Sequence, residues 1–438
     1  MDDFKRVLLL GTGPVTIQLA VLFKNHFQSQ LGISGRISHR SEQVIAAIRE
    51  SGNRLFTEVQ NESHNLMKGE CCADQVFQRY ETITGAWDTL ILSITADAYL
   101  HVLRSLNRNL LIHVKCLILI SPTLGSNSLV HNFIKEMGSD AEVISCSTYL
   151  GDTRWIHGVP SNGAITSGVK TKVFIASTRG TSHNLDSLIQ LYNVMGITLS
   201  VMRFPLEAES RNISLFVHPA LFMNDFSLSV VFGQSTSRKY VYKLFPEGPI
   251  TPRLIHEMLV CWKELSELFE ALNLQSLNLL KFMTDDNYPV RTESLSQHSI
   301  DSFLSLEPIH QEYLLYIRYA SLLIDPFSEP DQEGKYYDFS AVPIHSVFIN
   351  REGSWDIPRM PKEDYYRIKI IQGIANQLKL DCPMIDKFIE RYEQQLMNSA
   401  QALQGQAVSE AFRVQSFSED IQMICSHMAA GKKYNYTE

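Results

Sequence analysis

Long apolar runs are missing from this chain of 438 residues. The two apolar segments nearest the start, Val7 to Leu10 and Ile17 to Phe23, are split by Gly11-Thr12-Gly13-Pro14. Asp2 and Asp3 precede them, and no small-residue cleavage site follows. These features argue against both a signal peptide and a membrane span. Cysteine is scarce, with 7 scattered residues and one adjacent pair, Cys71-Cys72. An odd number without framework or ligand spacing argues against a disulfide ladder and a metal site, so a cytoplasmic protein without bound metal is expected. Positive charge is also in deficit: 39 Lys and Arg face 47 Asp and Glu, a net charge of -8. That balance argues against a nucleic-acid partner, although a local Arg cluster still permits anionic substrates. Internal repeats and low-complexity tracts are absent. What is present, 45% apolar and 20% charged residues, is the composition of a globular protein. The length allows two or three domains at roughly 100–200 residues each.

Short apolar runs recur through the first half at Arg6–Leu10, Gly32–Gly35, Thr89–Ile94, Cys116–Ile120, Val143–Ser147, Val173–Ala176 and Ile197–Val201. Separated by helical patterns, they predict an α/β domain, a parallel sheet with crossover helices, over residues 1–205. From 206 to 438 helical spacing dominates. Thr251-Pro252 reads as a cap followed by a first-turn proline, and Leu254, Met258, Trp262, Leu265 and Leu268 continue that helix. Ile368, Ile371, Ile374 and Leu378 suggest a second helix, and Met384, Phe388 and Tyr392 a last one. Between them Asp325–Pro361 reads as a long irregular connection with one short strand at Val347–Asn350, and connections of that length are often functional.

Gly11-Thr12-Gly13-Pro14-Val15 follows the first strand and opens a helix. Two glycines there permit a tight turn and close approach of a pyrophosphate to a helix N-terminus, the signature of a dinucleotide-binding Rossmann domain. Thr16 stands where a third small residue is usual, so an ordinary strand-to-helix turn is the competing reading. An NAD enzyme usually places an acid at the end of its second strand. Here the segment holds Arg36, Ser38 and Arg40. A guanidinium and a hydroxyl suit a 2′-phosphate, which favours NADPH; solvated surface charges are the alternative. Thr95, Ala96 and Asp97, and Ser121, Pro122 and Thr123, fall where later strands end, as further cofactor contacts or as plain turns.

His218 precedes Pro219, a residue suited to a first helical turn, so His218 is expected at a helix N-terminus facing a cleft. Arg359-Met360-Pro361-Lys362-Glu363-Asp364 lies just before another expected helix. Asp364 would fix the tautomer of His218, and Arg359 would grip a substrate carboxylate. A helix start with acids on its dipole accounts for the same residues.

At these residues the chain resembles the opine dehydrogenases, most closely the metallophore branch that makes staphylopine, pseudopaline and yersinopine. The likeness is carried by Gly11–Ala20, Thr95–Tyr99, Ser147–Arg154, His218–Leu228, Tyr240–Thr251 and Ile357–Arg367, and is weakest in Gln60–Ile83 and the C-terminal tail. It implies a Rossmann domain followed by a mostly α-helical domain with the active site between them, His218 and Asp364 as the catalytic pair, NADPH as cofactor, and a homodimer. It also implies condensation of a nicotianamine-like intermediate, built from a His and an aminobutyrate unit, with pyruvate or 2-oxoglutarate.

Both substrates carry carboxylates, so Arg154, Arg211, Lys243 and Arg359 are candidates to receive them. Asp152, read as part of a loop Gly151–Arg154, would repel the distal carboxylate of 2-oxoglutarate and favour pyruvate. Asn212, Tyr242 and Glu247 are further substrate candidates, the last two in a segment ending at the Thr251 cap. Two other readings stand beside this one: an opine dehydrogenase using an ordinary amino acid, and an NADPH-sensing binding protein without catalysis.

Overall fold

The computed structural model describes residues 4–233, 237–327 and 329–431. The chain forms two compact units, one running as far as Asn212 and rejoined by the chain from Gln422, the other spanning Ile213–Ile421.

The first unit holds strands β1 (Arg6–Leu10), β2 (Gln30–Ser34), β3 (Arg54–Val59), β4 (Gly69–Cys72), β5 (Gln75–Phe77), β6 (Thr89–Leu92), β7 (Cys116–Leu119), β8 (Glu142–Cys146), β9 (Gly151–Trp155), β10 (Gly163–Val169), β11 (Lys172–Ser177) and β12 (Thr198–Val201). An 8-stranded sheet runs β12-β11-β8-β7-β6-β1-β2-β5. The runs foreseen from sequence are β1, β2, β6, β7, β8, β11 and β12. All pairs in it are parallel except β8 with β11. The central strands are buried on both faces, which explains their uninterrupted apolar sequences. From β1 the chain builds outward through β2 and β5, then returns to place β6 against the other side of β1. That reversal is the switch point at which open α/β sheets take ligands.

Sequence reading missed a second, 4-stranded sheet, β4-β3-β10-β9. The segment Gly151–Arg154, expected as a loop, is part of β9, paired antiparallel with β10. Its side chains are polar and partly exposed, so no apolar alternation marked it as a strand. The helix Pro14–Phe27 packs on both sheets, and Thr16 to Phe23 are all buried. The one long polar residue of that buried stretch, Gln18, is satisfied at both ends: Nε2 donates to the Met67 carbonyl at 2.9 Å and Oε1 accepts from Thr166 Oγ1 at 3.0 Å.

The division expected at residues 205/206 falls instead after Asn212, because the helix Pro205–Glu209 packs on β8 and β11. A final helix, Ser418–Gly431, was not foreseen; in the first unit its Ile424 covers Gly125, whose φ is +84°.

The second unit is helical. Thr251 caps Pro252–Ala271 by accepting from the Leu254 N–H at 3.2 Å, as its sequence suggested. That helix packs on Ile213–Phe222, Pro308–Ala320 and Pro383–Ala402, and Arg359–Leu378 packs on the first and last of these. The short strand foreseen at Val347–Asn350 is Phe348–Ile349, paired with Trp355–Asp356.

Glu257, buried in Pro252–Ala271, joins it to Pro383–Ala402 through Arg391 (2.7 and 2.8 Å) and Lys387 (3.0 Å). Burial opposes its charge, but the two cations outweigh burial and hold the carboxyl down at about 2, against 4.5 unperturbed. A depressed folded-state value gives stability that is complete above the unfolded value and lost as pH falls towards the folded one. The shift corresponds to about 3 kcal/mol. Denaturant titrations are therefore expected to show Glu257→Gln less stable than wild type by about that amount at neutral pH. The gap should close between pH 4.5 and 2. A gap constant across that range contradicts the assignment.

Candidate active site

In the first unit, the turn after β1 sits at the switch point. Gly11 has φ +138°, and a Cβ there would lie 2.6 Å from the Ser93 carbonyl oxygen. Gly13 precedes the helix Pro14–Phe27 without a side-chain cap, and a Cβ on it would meet nothing within 4 Å. A glycine retained where space is open leaves the approach to the helix N-terminus, beside Thr12, Pro14 and Val15, clear for an anionic ligand. Thr16 is a compensated departure from the usual third glycine: its hydroxyl lies 2.8 Å from that of Ser93, tying the helix to the segment after β6. Thr12 Oγ1 likewise donates to Ser41 Oγ at 3.0 Å.

Beyond β2, Arg36 is exposed, and its backbone N–H hydrogen-bonds the buried Tyr80 hydroxyl. Ser38 caps the helix His39–Glu50, accepting from the Ser41 N–H at 3.1 Å. The Arg40 guanidinium lies 5.8 Å from the Trp155 ring centre. No acid follows β2 before Glu42. Thr95, Ala96 and Asp97 form the turn after β6, where Asp97 Oδ1 is buried without a protein partner among the described residues. Ser121, Pro122 and Thr123 follow β7, and Thr123 Oγ1 is likewise unmatched. Unmatched buried polar atoms in two neighbouring strand-end turns fit a polar ligand lying across them.

Two residues that hold the second turn escaped sequence reading or were misassigned. Glu209, fully buried, accepts from the N–H groups of Gly125 (2.8 Å) and Asn127 (2.7 Å) and from Ser145 (3.0 Å). Burial pushes its carboxyl up to about 8 against those three donors. Asn212, taken as a substrate contact, is fully buried and donates to the Pro122 carbonyl at 2.8 Å. Arg211 is buried too, 6.0 Å from the Phe174 ring centre.

On β9, Asp152 and Arg154 form a two-pronged ion pair (2.5 and 3.1 Å), and Ser167 donates to Asp152 at 2.9 Å. The Asp152 charge is thus shared with Arg154 rather than standing alone. Lys170, which sequence reading passed over, is buried nearby with Nζ 3.3 Å from Thr148 Oγ1. Burial pulls its pKa down to about 7, with Asp152 acting in the opposite sense.

In the second unit, His218 lies inside the helix Ile213–Phe222, not at its start, because Pro219 is accommodated within that helix. Its imidazole keeps 16% of its surface exposed, while Asp364 is fully buried. Nδ1 lies 3.1 Å from Asp364 Oδ1, across 146 residues of sequence. The helix carrying the acid begins at Arg359, earlier than expected, and has a kink at Met360. Arg367 pairs with Asp364 and, at 3.1 Å, with Glu363; its i,i+3 spacing from Asp364 was the legible signal for it. Arg359 is 69% exposed and lies 3.4 Å from Glu363. Tyr242 is half-buried, and exposed Glu247 lies 3.5 Å from Lys243, whose closer partner is Asp338 at 2.5 Å.

An imidazole hydrogen-bonded to a buried carboxylate and still partly exposed has the chemistry that general acid–base work requires. Residues 5–428 match the family model described as staphylopine dehydrogenase. The chain belongs to that family. It is 42% identical to staphylopine synthase of Staphylococcus aureus, covering 96% of this chain and 97% of the relative. Pseudopaline synthase of Pseudomonas aeruginosa is 36% identical over 90% of each chain. Among solved structures, yersinopine dehydrogenase with NADP+ bound superposes with a TM-score of 0.89 at 28% identity, covering 98% of this chain and 100% of that one. As a member of the staphylopine dehydrogenase family the chain is an opine-dehydrogenase-type oxidoreductase. The assembled pair makes a defined demand on Asp364: Asp364→Asn should lower kcat about 10³-fold while KM values change little, as measured by steady-state turnover. A kcat within about threefold of wild type contradicts the dyad.

Proposed function

We propose that this enzyme reductively condenses a nicotianamine-like amine, built from a His and an aminobutyrate unit, with pyruvate to give an opine metallophore. The observation that carries the reading is the His218–Asp364 pair, 3.1 Å apart, in a chain of the staphylopine dehydrogenase family. The cofactor is NADP(H). Gly11, Thr12, Gly13, Pro14 and Val15 would hold its pyrophosphate, and Arg36, Ser38 and Arg40 its 2′-phosphate, where NAD enzymes carry an acid. Thr95, Ala96 and Asp97, with Ser121, Pro122 and Thr123, would line the rest.

With Asp364 accepting from Nδ1–H, Nε2 of His218 is the free base. It takes a proton from the substrate ammonium, and the amine then attacks the 2-oxo carbon to form a C–N bond. A proton passes from the new ammonium nitrogen to the alkoxide to give the carbinolamine; the protonated imidazole then gives its proton to the departing hydroxyl, water leaves, and a protonated imine remains. NADPH when bound supplies the hydride that reduces it. Asp364 stabilises the imidazolium in between, and Arg367, paired with it, holds Asp364 in position. Arg359 serves a substrate carboxylate, Glu247 a substrate ammonium, and Tyr242 a further substrate contact. We place the enzyme in the cytoplasm on its scattered cysteines, as a homodimer by family likeness.

NADPH oxidation with the nicotianamine-like intermediate plus pyruvate should exceed that with free amino acids plus pyruvate by orders of magnitude, with mass spectrometry identifying the product. Equal rates would favour an ordinary-amino-acid enzyme. Cofactor binding without turnover would favour a sensor.

Preference for pyruvate rests on Asp152. Removing it deletes a carboxylate and breaks that carboxylate's ion pair with Arg154, and both changes favour a dianionic acid. Asp152→Ala should therefore shift the kcat/KM ratio of 2-oxoglutarate to pyruvate upward by at least about tenfold, each charge contact being worth about 1.5–3 kcal/mol. An unchanged ratio rejects this role.

A further inference from the structure

Arg318, in the helix Pro308–Ala320 of the second unit, is only 5% exposed. Arg367, the other buried arginine described in that unit, meets Asp364 and Glu363, and the partly buried Arg391 meets Glu257. Arg318 pairs with no carboxylate among the described residues. Its one hydrogen-bond acceptor is the Met283 carbonyl, 3.3 Å from Nη2, and Nε is buried without a partner. Its surroundings are phenols. The guanidinium carbon is 5.7 Å from the Tyr319 ring centre, and Tyr319, Tyr242 and Tyr288 are the ionisable groups whose charge it senses; burial, the larger influence, works against its own charge. Tyr242 stacks on Tyr319 with ring centres 6.5 Å apart and planes at 17°.

A buried cation without a counter-ion is costly to fold, and a guanidinium keeps its charge rather than shedding it. Its planar donor fork matches a carboxylate, and phenol hydroxyls add donors of the same kind. The acceptor it does use belongs to a π-helical turn, Phe282–Asn287, a form common at functional sites. Phe282 of that turn packs edge-on against Phe216, at 6.0 Å, in the helix that carries His218.

We propose that Arg318, with Tyr242, forms an anion subsite that receives a carboxylate of one of the two condensing substrates. This rests on the condensation proposed above, in which both partners bring carboxylates; the two sources are separated by experiment.

Arg318→Met and Arg318→Lys are compared with wild type for kcat, for KM with pyruvate and with the amine intermediate, and for thermal midpoint with each substrate present. Arg318→Met is expected to raise one KM about 100-fold with kcat changed less than about threefold, and Arg318→Lys to restore that KM to within about tenfold of wild type. The substrate whose KM moves is the one whose carboxylate binds here, and its stabilising effect on the thermal midpoint should vanish in Arg318→Met. Both KM values within about twofold of wild type in a folded Arg318→Met overturn the subsite, as does a lowered midpoint with unmoved KM values. Should Arg318→Met fail to fold, Arg318→Lys decides, and unmoved KM values there overturn it too. If wild type binds both acids without turnover, the condensation fails, while the midpoint shifts still judge the subsite.

Discussion

Charge withdrawn from water must be met by opposite charge or by fixed dipoles, and much of this chain's architecture is arranged around that requirement. Glu209, whose carboxyl burial pushes up to about 8, is met by fixed dipoles, two backbone N–H groups at the start of the helix Ser126–Glu136 and the Ser145 hydroxyl on β8, and so fixes the turn after β7. Asp364 is met by Arg367 and by the imidazole of His218, so the acid that orients the base is itself fixed in place where it is fully buried. Glu257 is met by Arg391 and Lys387 and clamps two long helices together. In each case the same contacts that solve the desolvation problem also set the position of a functional or supporting element. Arg318 differs from these because no acid among the described residues pairs with it, and that exception is what points to a ligand.

The first unit shows a second economy. The helix Pro14–Phe27 lies against two sheets and is apolar almost all round, as a helix without a solvent face must be. Its N-terminus is therefore rigidly placed, and the turn Gly11–Gly13 inherits that rigidity. Gln18 joins the helix to the Met67 carbonyl and to Thr166, whose hydroxyl lies 2.7 Å from that of Thr153 on β9. A nucleotide-binding turn and the strand bearing Asp152 and Arg154 are thereby parts of one hydrogen-bonded framework, with Thr16 and Ser93 adding the tie to β6.

Legibility followed local chemistry. Buried parallel strands announced themselves because both faces demand apolar residues, so β1, β6 and β7 read directly from Arg6–Leu10, Thr89–Leu92 and Cys116–Leu119. The turn Gly11–Gly13 was legible because close backbone approach leaves few residue choices, and the Thr251 cap because its hydroxyl acts within one helical turn. β9 was illegible: GDTRW carries turn-forming and charged residues, and it is a strand only because β10 offers it a partner. His218 was noticed for its proline, yet placed at a helix start, since local preference against helix before Pro219 is overridden by packing around Ile213–Phe222.

By itself the sequence determined what depends on neighbours along the chain: the α/β character of the first half, the helical second half, the glycine turn and the absence of an acid after β2. Tertiary structure alone decided what depends on residues far apart. It brought Asp364 to His218 across 146 positions, spent the charge of Asp152 on Arg154, turned Asn212 inward onto Pro122, and gave Arg318 no acid among the described residues. Such pairings are settled by which charges and hydrogen-bonding groups share a volume from which water has been excluded, and proximity in space carries no mark in the order of the residues.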